Sequence, residues 1–265
     1  MKRRFLIHLF LALGLAVGFS SQSAFAQAEP VSGKVTAAVA ASMRFAFEDI
    51  AKAFRAKQPN VEIVVTYGAS GSFFAQLQQR APFDLFLSAD TEYPDKLVAN
   101  HLGEACFLYA VGRLVLWAPK TAGLNVAGRG MDSLTDPRVI KISIANPGVA
   151  PYGRAAETVI KRAGLEAAVA PKLVRAENIS QAVQFVQSGA AQIGFTAYSL
   201  TRSEELRDSG DFWIVPEKDH APIQQSGVVI PWSKNRKAAE ALREFILSAE
   251  GRAVLERNGF GVPRS

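Results

Sequence analysis

The chain alternates between two kinds of hydrophobic pattern. Short runs rich in apolar and β-branched residues, typical of strands, are separated by longer stretches whose apolar positions recur with the period of a helix. This repeated alternation predicts βαβ units around parallel sheets, and therefore an α/β fold. The predicted strands are residues 35–40, 61–67, 84–88, 113–118, 140–145, 172–175, 192–197, 212–215 and 227–230.

Several of the intervening stretches have recognisable helix starts and stops. The first helix is predicted to begin near Ser42, to place apolar residues on one face, and to end at Pro59. A terminal helical stretch covers residues 237–255. Three further helices are predicted after Ser70-Gly-Ser, Pro151-Tyr-Gly and Asn178, with Gly164 and Gly189 as stops.

The chain after the first thirty residues contains no internal repeat, low-complexity tract or long linker. Any division into lobes must therefore pass through short crossing segments. Residues 112–119 and 226–231 are candidates, because both are apolar, extended and end in proline. They predict one lobe formed by residues 33–112 with 227–265, and a second lobe formed by residues 113–226.

Residues 1–26 have the layout of a cleaved secretory signal. Basic residues at positions 2–4 precede an apolar run without charge at 5–19, and small residues follow at Ala24 and Ala26. The run is shorter than the roughly 20 residues that span a membrane, although an uncleaved anchor is the alternative. We therefore predict a periplasmic, monomeric mature protein.

The net charge changes when this leader is removed. The formal charge of +6 loses Lys2, Arg3 and Arg4 and no acidic residue, which leaves +3 for residues 27–265. The remaining basic residues are scattered and form no block. They are interpreted as solvated faces, and no nucleic-acid partner is predicted.

Cys106 is the only cysteine, so no internal disulfide can form. It lies in the apolar run Ala105-Cys-Phe-Leu-Tyr109. This setting favours a buried structural thiol over a reactive one.

Three predicted strands lead directly into helices through small or glycine-containing turns, at residues 40–43, 67–72 and 146–153. A helix start presents unpaired backbone N–H groups and partial positive charge, and the carboxyl ends of parallel strands are where open α/β sheets bind ligands. Taken singly, Ser42 and Ser70 are ordinary N-cap residues. Together the turns predict an anion site made of neutral donors.

Catalytic patterns are absent from the sequence. His101 and His220 are the histidines outside the leader, and neither has metal-ligand spacing or a neighbouring nucleophile. Asp84 and Asp90 flank one strand, where cap or turn roles are favoured over an acid–base pair, and Asp90 would repel an anion. We predict a protein that is not an enzyme, with a secreted serine hydrolase using Ser42 or Ser70 as the remote alternative.

Five ordered segments of the chain are Ala38-Val-Ala-Ala-Ser42, Tyr67-Gly-Ala-Ser70-Gly-Ser, Ala81-Pro-Phe-Asp-Leu-Phe-Leu-Ser-Ala-Asp90, Asn146-Pro-Gly-Val-Ala-Pro-Tyr-Gly153 and Ala176-Glu-Asn-Ile179. In this order they resemble the periplasmic molybdate-binding proteins of ABC importers. The similarity covers nearly the whole chain after the leader, including Asn258-Gly-Phe260. It implies a two-lobed, type II periplasmic binding fold, in which two parallel-core sheets flanked by helices are joined by two crossing strands.

The same resemblance implies the site and its partners. Ser42 and Ser70 would each offer a hydroxyl and a backbone N–H from one lobe, and Tyr152 and Ile179 would offer backbone N–H groups from the other. The ligand would be molybdate or tungstate, held through its oxygens with no direct metal-ion ligand and no cofactor. The protein would deliver it to a membrane permease that works with a cytoplasmic ATPase.

One position departs from many members of the family, which carry a tyrosine in the last cleft strand. Here the matching position is Ala197, and Tyr198 would face the opposite side of the strand. A variant of the family has its tyrosine in the Pro-Tyr-Gly turn, which favours Tyr152. Sulfate or phosphate on the same fold is the alternative ligand, although a phosphate site needs an acid and these turns contain none.

Overall fold

The computed structural model describes residues 31–263, so the predicted signal peptide lies outside the described residues. Within that range the chain forms two five-stranded sheets. The first sheet has the order β2-β1-β3-β10-β4 and the second the order β7-β6-β8-β5-β9. The strands are β1 (Gly33–Ala40), β2 (Val61–Gly68), β3 (Leu85–Leu87), β4 (Cys106–Gly112), β5 (Leu114–Pro119), β6 (Ile142–Ala145), β7 (Leu173–Ala176), β8 (Ile193–Ala197), β9 (Gly210–Ile214) and β10 (Ile223–Val229).

Helices follow most of these strands and cover the sheets. None of the helices in residues 31–263 is long and apolar enough to cross a membrane. The helices are α1 (Arg44–Lys57), α2 (Ser70–Gln78), α3 (Glu92–Ala99), α4 (Val126–Arg129), α5 (Pro151–Arg162), α6 (Glu166–Val169), α7 (Ile179–Gln187), α8 (Tyr198–Thr201), α9 (Arg236–Leu247) and α10 (Ala249–Arg257).

Each sheet has a parallel core and an antiparallel side. In the first sheet β1 pairs in parallel with β2 and β3, whereas β10 runs antiparallel to β3 and β4. In the second, β6 is parallel to β7 and β8, and β5 is antiparallel to β8 and β9. The predicted α/β architecture, with two parallel-core sheets flanked by helices, is confirmed.

Successive side chains of β1 point to opposite faces of the first sheet, and helices cover both faces. Val35, Ala37 and Val39 pack with α1, α9 and α10, while Ala38 packs with α2 and α3. A separate apolar cluster is formed by buried residues of the second sheet and of the helices that pack on it. This cluster also includes small residues from the turns of the first sheet. The two sheets therefore meet at the turns that follow their strands.

The chain passes between the sheets twice. It leaves the first sheet at the end of β4 and enters the second at β5, so that Arg113 alone separates the two strands. It returns between β9 and β10, over residues 215–222, and β10 then lies in the first sheet. The division into lobes at residues 33–112 with 227–265, and at 113–226, stays a proposal.

Some elements differ from their predicted bounds. The strand β4 was not expected, and β10 begins four residues before the predicted 227–230. The predicted terminal helix is two helices, because Ser248 adopts an extended ψ of 164° and its side chain accepts a hydrogen bond from the N–H of Gly251. A residue in that conformation ends α9 and caps α10.

Cys106, at the start of β4, is partly exposed and forms no disulfide. It was expected to be buried, and the difference arises because β4 is the edge strand of its sheet. Partial burial and the neighbouring Asp95 raise the pKa of the thiol to about 11. A thiol with so high a pKa is largely protonated near neutral pH and a poor nucleophile, which agrees with the predicted structural role.

Candidate anion-binding site

Turns from both sheets enclose one small cavity. Residues 40–42, 68–70 and 89 line it from the first sheet, and residues 150–152, 178 and 179 line it from the second. Its free volume is about 10 Å³, room for the centre of one water-sized sphere. The structure thus brings together the four predicted site residues Ser42, Ser70, Tyr152 and Ile179, whose exposed fractions are only 1%, 1%, 2% and 4%.

Ser42 lies in a 3-10 turn, Ala41–Met43, which joins β1 directly to α1. Its hydroxyl is buried and has no hydrogen-bond partner among the described residues. Its carbonyl accepts a hydrogen bond of 2.7 Å from the hydroxyl of Ser199, which belongs to α8 beside the second sheet. The turn is therefore held from across the cleft, while the Ser42 hydroxyl is available to a ligand.

Ser70 is the first residue of α2. Its hydroxyl oxygen accepts a hydrogen bond of 2.9 Å from the backbone N–H of Ala89. Because a hydroxyl has one proton and two lone pairs, this contact leaves the proton free to be donated. The next residue, Gly71, donates its backbone N–H to the carbonyl of Val149 at 2.9 Å, which links the two sheets beside the cavity.

Tyr152 follows Pro151 in the first turn of α5, where proline suits the first helical position. Its phenol oxygen accepts a hydrogen bond of 3.1 Å from the side-chain amide of Gln225. Burial raises the pKa of this phenol, and the adjacent Ser42 hydroxyl and Gln225 amide oppose the rise. The Ser42 hydroxyl lies close enough to the Tyr152 phenol to affect its pKa, but the two groups are not placed to form a hydrogen bond.

Ile179 is the first residue of α7. The side chain of the preceding Asn178 caps this helix by accepting 3.0 Å hydrogen bonds from the N–H groups of Ser180 and Gln181. The hydroxyl of Ser180 in turn donates to the carbonyl of Ala41 at 3.0 Å, which connects α7 to the turn after β1. These contacts fix the helix start and leave the N–H of Ile179 uncommitted.

Four backbone donors surround the cavity. In residues 31–263, the N–H groups of Ser42, Ser70, Tyr152 and Ile179 donate to no backbone carbonyl. The first N–H groups of a helix have no partner inside it, and the helix dipole adds partial positive charge at the same end. The starts of α2, α5 and α7 and the turn before α1 together make a cavity suited to a small anion.

Charge is placed beside the cavity rather than inside it, since no lining residue is ionisable except Tyr152. Asp90, one residue past the lining Ala89, forms an ion pair with Arg154 of α5. Ser88 Oγ donates to the same carboxylate at 2.8 Å and Tyr93 N at 3.2 Å. Burial raises the Asp90 pKa, although these partners oppose the rise. The carboxylate that was expected to repel an anion is thus directed to an arginine.

The remaining predicted chemistry falls elsewhere. Asp84 accepts hydrogen bonds from Thr36 N at 2.7 Å and Ser233 Oγ at 2.6 Å, a structural role. Tyr198 is the first residue of α8 rather than part of a strand, and its ring packs on Phe212 at 5.5 Å. Neither Tyr198 nor Ala197 lines the cavity. Between residues 31 and 263 no three His, Cys, Asp or Glu side chains cluster as they would around a metal ion.

Sequence reasoning missed two residues that support the cavity. The amide of Gln225 lies between the phenols of Tyr152 and Tyr109, and all three side chains are buried. Gln225 lies outside the predicted strand 227–230, in the polar sequence Gln224-Gln-Ser226, and carries no local signal of such a role. The contacts only become visible once β10 and β4 are paired.

Comparisons with known proteins identify the family. A model of the bacterial extracellular solute-binding protein family matches residues 35–261. The molybdate-binding protein ModA of Azotobacter vinelandii is 35% identical over 253 residues, 94% of this chain and 97% of that protein. ModA of Rhodobacter capsulatus is 35% identical over 251 residues, 94% of each chain.

A solved structure agrees with these relatives. The Azotobacter vinelandii periplasmic molybdate-binding protein matches with a TM-score of 0.81 at 27% identity, covering 87% of this chain and 100% of that one. The predicted type II periplasmic binding fold is confirmed by this match. The chain belongs to the family of bacterial extracellular solute-binding proteins, and its predicted resemblance to the molybdate-binding members is confirmed.

Proposed function

We propose that this protein binds molybdate in the cavity between its two sheets and delivers it to the membrane permease of an ABC importer. The relatives named as molybdate-binding proteins support this function, since they align over almost the whole chain. The observation that carries it is the buried cavity, whose lining offers hydroxyl and backbone donors and no basic side chain.

A cage of neutral donors suits a tetrahedral dianion. Charge-assisted hydrogen bonds from fixed dipoles hold the anion without a buried counter-charge. A cage of fixed spacing also leaves donors unpaired around a smaller anion such as sulfate, and each unpaired buried donor costs about 1–3 kcal/mol. Two such losses cost about 2–6 kcal/mol and lower the affinity for sulfate by about thirtyfold to ten-thousandfold.

Ser42 and Ser70 are the proposed donors on the first sheet, and Tyr152 and Ile179 on the second. Because the donors come from both sheets, we propose that the regions 33–112 with 227–265, and 113–226, act as lobes that close on the ligand. Tungstate, of nearly equal size and charge, is the second proposed ligand. We also propose that residues 1–26 are a cleaved export signal and that the protein acts as a monomer. The permease would work with a cytoplasmic ATPase.

A non-enzymatic role is part of the same proposal. A serine nucleophile needs a base within hydrogen-bond reach. Within residues 31–263 the Ser42 hydroxyl has no partner and the Ser70 hydroxyl contacts the Ala89 N–H, so neither is paired with a histidine or a carboxylate. This arrangement favours ligand binding over a secreted hydrolase.

Calorimetric titration of the ligand-free mature protein tests the function. Molybdate, tungstate, sulfate and phosphate are compared under one set of conditions. We expect molybdate and tungstate to bind with similar affinity, and sulfate and phosphate at least about thirtyfold more weakly. Preferential binding of sulfate or phosphate would assign the cavity to another oxyanion, and no binding of any of the four would refute the proposal.

A further inference from the structure

Two serines beside the second sheet reach the same turn of the first sheet. The hydroxyl of Ser180, in α7, donates to the carbonyl of Ala41 at 3.0 Å. The hydroxyl of Ser199, in α8, donates to the carbonyl of Ser42 at 2.7 Å. Because a carbonyl can only accept, the direction of both hydrogen bonds is fixed. Two consecutive carbonyls of the turn that precedes α1 are therefore held from the opposite side of the cavity.

These contacts differ from those that serines make inside helices. A serine in a helix typically points to solvent or donates to a carbonyl three or four residues back. Ser188, which directly follows α7, donates in this way to Phe185 at 3.2 Å. Ser180 and Ser199 instead reach carbonyls that are 139 and 157 residues away in the sequence. The start of α7 is already capped by the side chain of Asn178, so the Ser180 hydroxyl is free to act across the cavity.

The two serines act on the site through the backbone. Within residues 31–263 the lining of the cavity includes neither of them. The peptide group between Ala41 and Ser42 accepts from Ser180 at its carbonyl, and its N–H is one of the four proposed anion donors. A hydrogen bond to the carbonyl polarises the peptide group and strengthens its N–H as a donor. The bond from Ser199 holds the next peptide group, and so fixes the orientation of Ser42.

We propose that Ser180 and Ser199 are positioning residues that hold the Ser42 turn against the second sheet when the oxyanion is bound. The inference rests on the proposed function, and it adds two side chains that bind the protein rather than the ligand. Both hydrogen bonds join one side of the cavity to the other, so they form only when the two sides are together. They should therefore slow the release of the anion more than they speed its capture.

Ser180→Ala and Ser199→Ala test the inference with molybdate as the probe. Each change removes one neutral hydrogen bond, so calorimetry should show binding about two- to tenfold weaker than that of the parent. Ser199→Ala should have the larger effect, because Ser199 is 4% exposed whereas Ser180 is half-buried and water can partly replace its hydroxyl. The release of labelled molybdate into an excess of unlabelled molybdate should be faster by about the same factor, which leaves the association rate nearly unchanged.

Ser188→Ala is the matched control. It also removes a hydrogen bond from a serine hydroxyl to a carbonyl, but both groups belong to the end of α7 and the bond crosses no cavity. Its affinity and its release rate should equal those of the parent. The melting temperature of each ligand-free variant is measured as well, and titrations are made well below the lowest midpoint.

Ser180→Thr and Ser180→Val separate the hydroxyl from general damage to α7. Threonine and valine are both β-branched and similar in shape, but only threonine can donate a hydrogen bond. Ser180→Thr should therefore bind molybdate within about twofold of the parent, and Ser180→Val should bind as weakly as Ser180→Ala. This rescue by threonine would not occur if residue 180 acted only by packing.

Failure of the inference differs from failure of the proposed function. If the parent binds molybdate and both alanine variants bind and release it like the parent, the two serines do not position the Ser42 turn. Equal losses of affinity in Ser180→Thr and Ser180→Val would refute the role of the Ser180 hydroxyl in the same way. If the parent binds none of molybdate, tungstate, sulfate or phosphate, the proposed function is refuted and this inference falls with it.

Discussion

The two sides of the cavity offer the same kind of hydrogen bond by different means. The first sheet presents serines in the cavity lining at the turns after β1 and β2, so both the side chain and the backbone can donate to a bound anion under our proposal. The second sheet presents Tyr152 and Ile179 at the starts of α5 and α7, where the backbone N–H is the shared feature. The residue type should therefore matter greatly on the first side and much less at Ile179.

The two serines also differ from one another. The Ser70 hydroxyl has a structural partner in the Ala89 N–H, whereas the Ser42 hydroxyl has none among the described residues. A buried hydroxyl without a partner costs folding free energy. The Ser42 hydroxyl thus lowers the stability of the ligand-free protein, and a bound anion would remove this penalty. A structural hydroxyl would have a protein partner already, so the penalty favours a ligand-binding role.

The largest expected effect is that of a negative charge on the serine side. Ser70→Asp should weaken molybdate binding by at least about a thousandfold, because a carboxylate would face a dianion in a buried cavity. Aspartate is favourable at a helix start, so α2 should still form. Calorimetry of Ser70→Asp and of the uncharged Ser70→Asn measures the charge effect, and equal losses in both variants would place Ser70 away from the ligand.

Removing each serine hydroxyl sharpens the comparison within the first sheet. Ser42→Ala and Ser70→Ala should each weaken binding about ten- to hundredfold, the effect of one charge-assisted bond. Their ligand-free stabilities should differ. Ser70→Ala leaves the buried Ala89 N–H without its acceptor, at a cost of about 1–3 kcal/mol, whereas Ser42→Ala removes a hydroxyl that has no partner among the described residues.

Urea unfolding of the ligand-free variants measures this difference. Ser42→Ala is its own control for general damage, since it should lose affinity without losing stability. Parent-like affinity in both alanine variants would mean that these two turns do not bind the anion.

The contrast between the two sides also explains what the sequence could predict. Ser42, Ser70 and Asn178 stand at strand-to-helix turns, and such turns have local signals: a small polar residue, a preceding apolar strand and a following helical period. Because parallel strands end at the same edge of a sheet, locating the turns was enough to predict an anion site made of their neutral donors. The assignment of Tyr152 and Ile179 opposite the two serines came from the resemblance to molybdate-binding proteins, not from local signals.

The support behind the cavity could not be predicted in the same way. Gln225 is 116 residues from Tyr109 and 73 from Tyr152; it reaches Tyr109 through antiparallel pairing of β10 with β4, and Tyr152 through packing of α5 against β10. The edge strand β4 was itself missed. Its sequence, Cys106-Phe-Leu-Tyr-Ala-Val-Gly112, is apolar almost throughout, so neither a strand nor a helix period stands out around Cys106.

The backbone on the second side can be tested by removing one N–H. Ile179→Pro should weaken binding about ten- to hundredfold, since proline lacks the proposed donor. The first position of a helix accepts proline, and the preceding Asn178 has extended dihedral angles of −145° and 175° that a following proline requires. The helix α7 should therefore persist, which circular dichroism can verify.

Ile179→Val is the matched control for this change. It keeps the N–H and removes one methylene from a buried side chain, so it should cost about 0.5–1.5 kcal/mol of stability and leave the affinity nearly unchanged. A large affinity loss in Ile179→Val would show that the side chain, not the backbone, contacts the anion. Unchanged binding by Ile179→Pro would exclude its N–H from the site.

The smallest effect is expected at the charged residues Asp90, Glu92 and Arg154, which connect the two sides but do not line the cavity. Arg154 of α5 pairs with Asp90, donates to the Tyr93 phenol oxygen at 3.3 Å and lies 3.4 Å from Glu92. Its side chain is 36% exposed, so solvent screens these contacts and the pair contributes at most about 1 kcal/mol.

If the contacts form as the lobes close, Arg154→Gln weakens binding by up to about fivefold, and the difference from the parent shrinks at high salt. Arg207→Gln is the control, because Arg207 pairs with the adjacent Asp208 and, within residues 31–263, forms no ion pair across the cavity. If Arg154→Gln loses as much affinity as the serine variants, a charged residue belongs to the binding site, which contradicts a cavity built from neutral donors. If both arginine variants lose the same small amount of affinity, the net charge of the protein, rather than this contact between the sheets, determines the change.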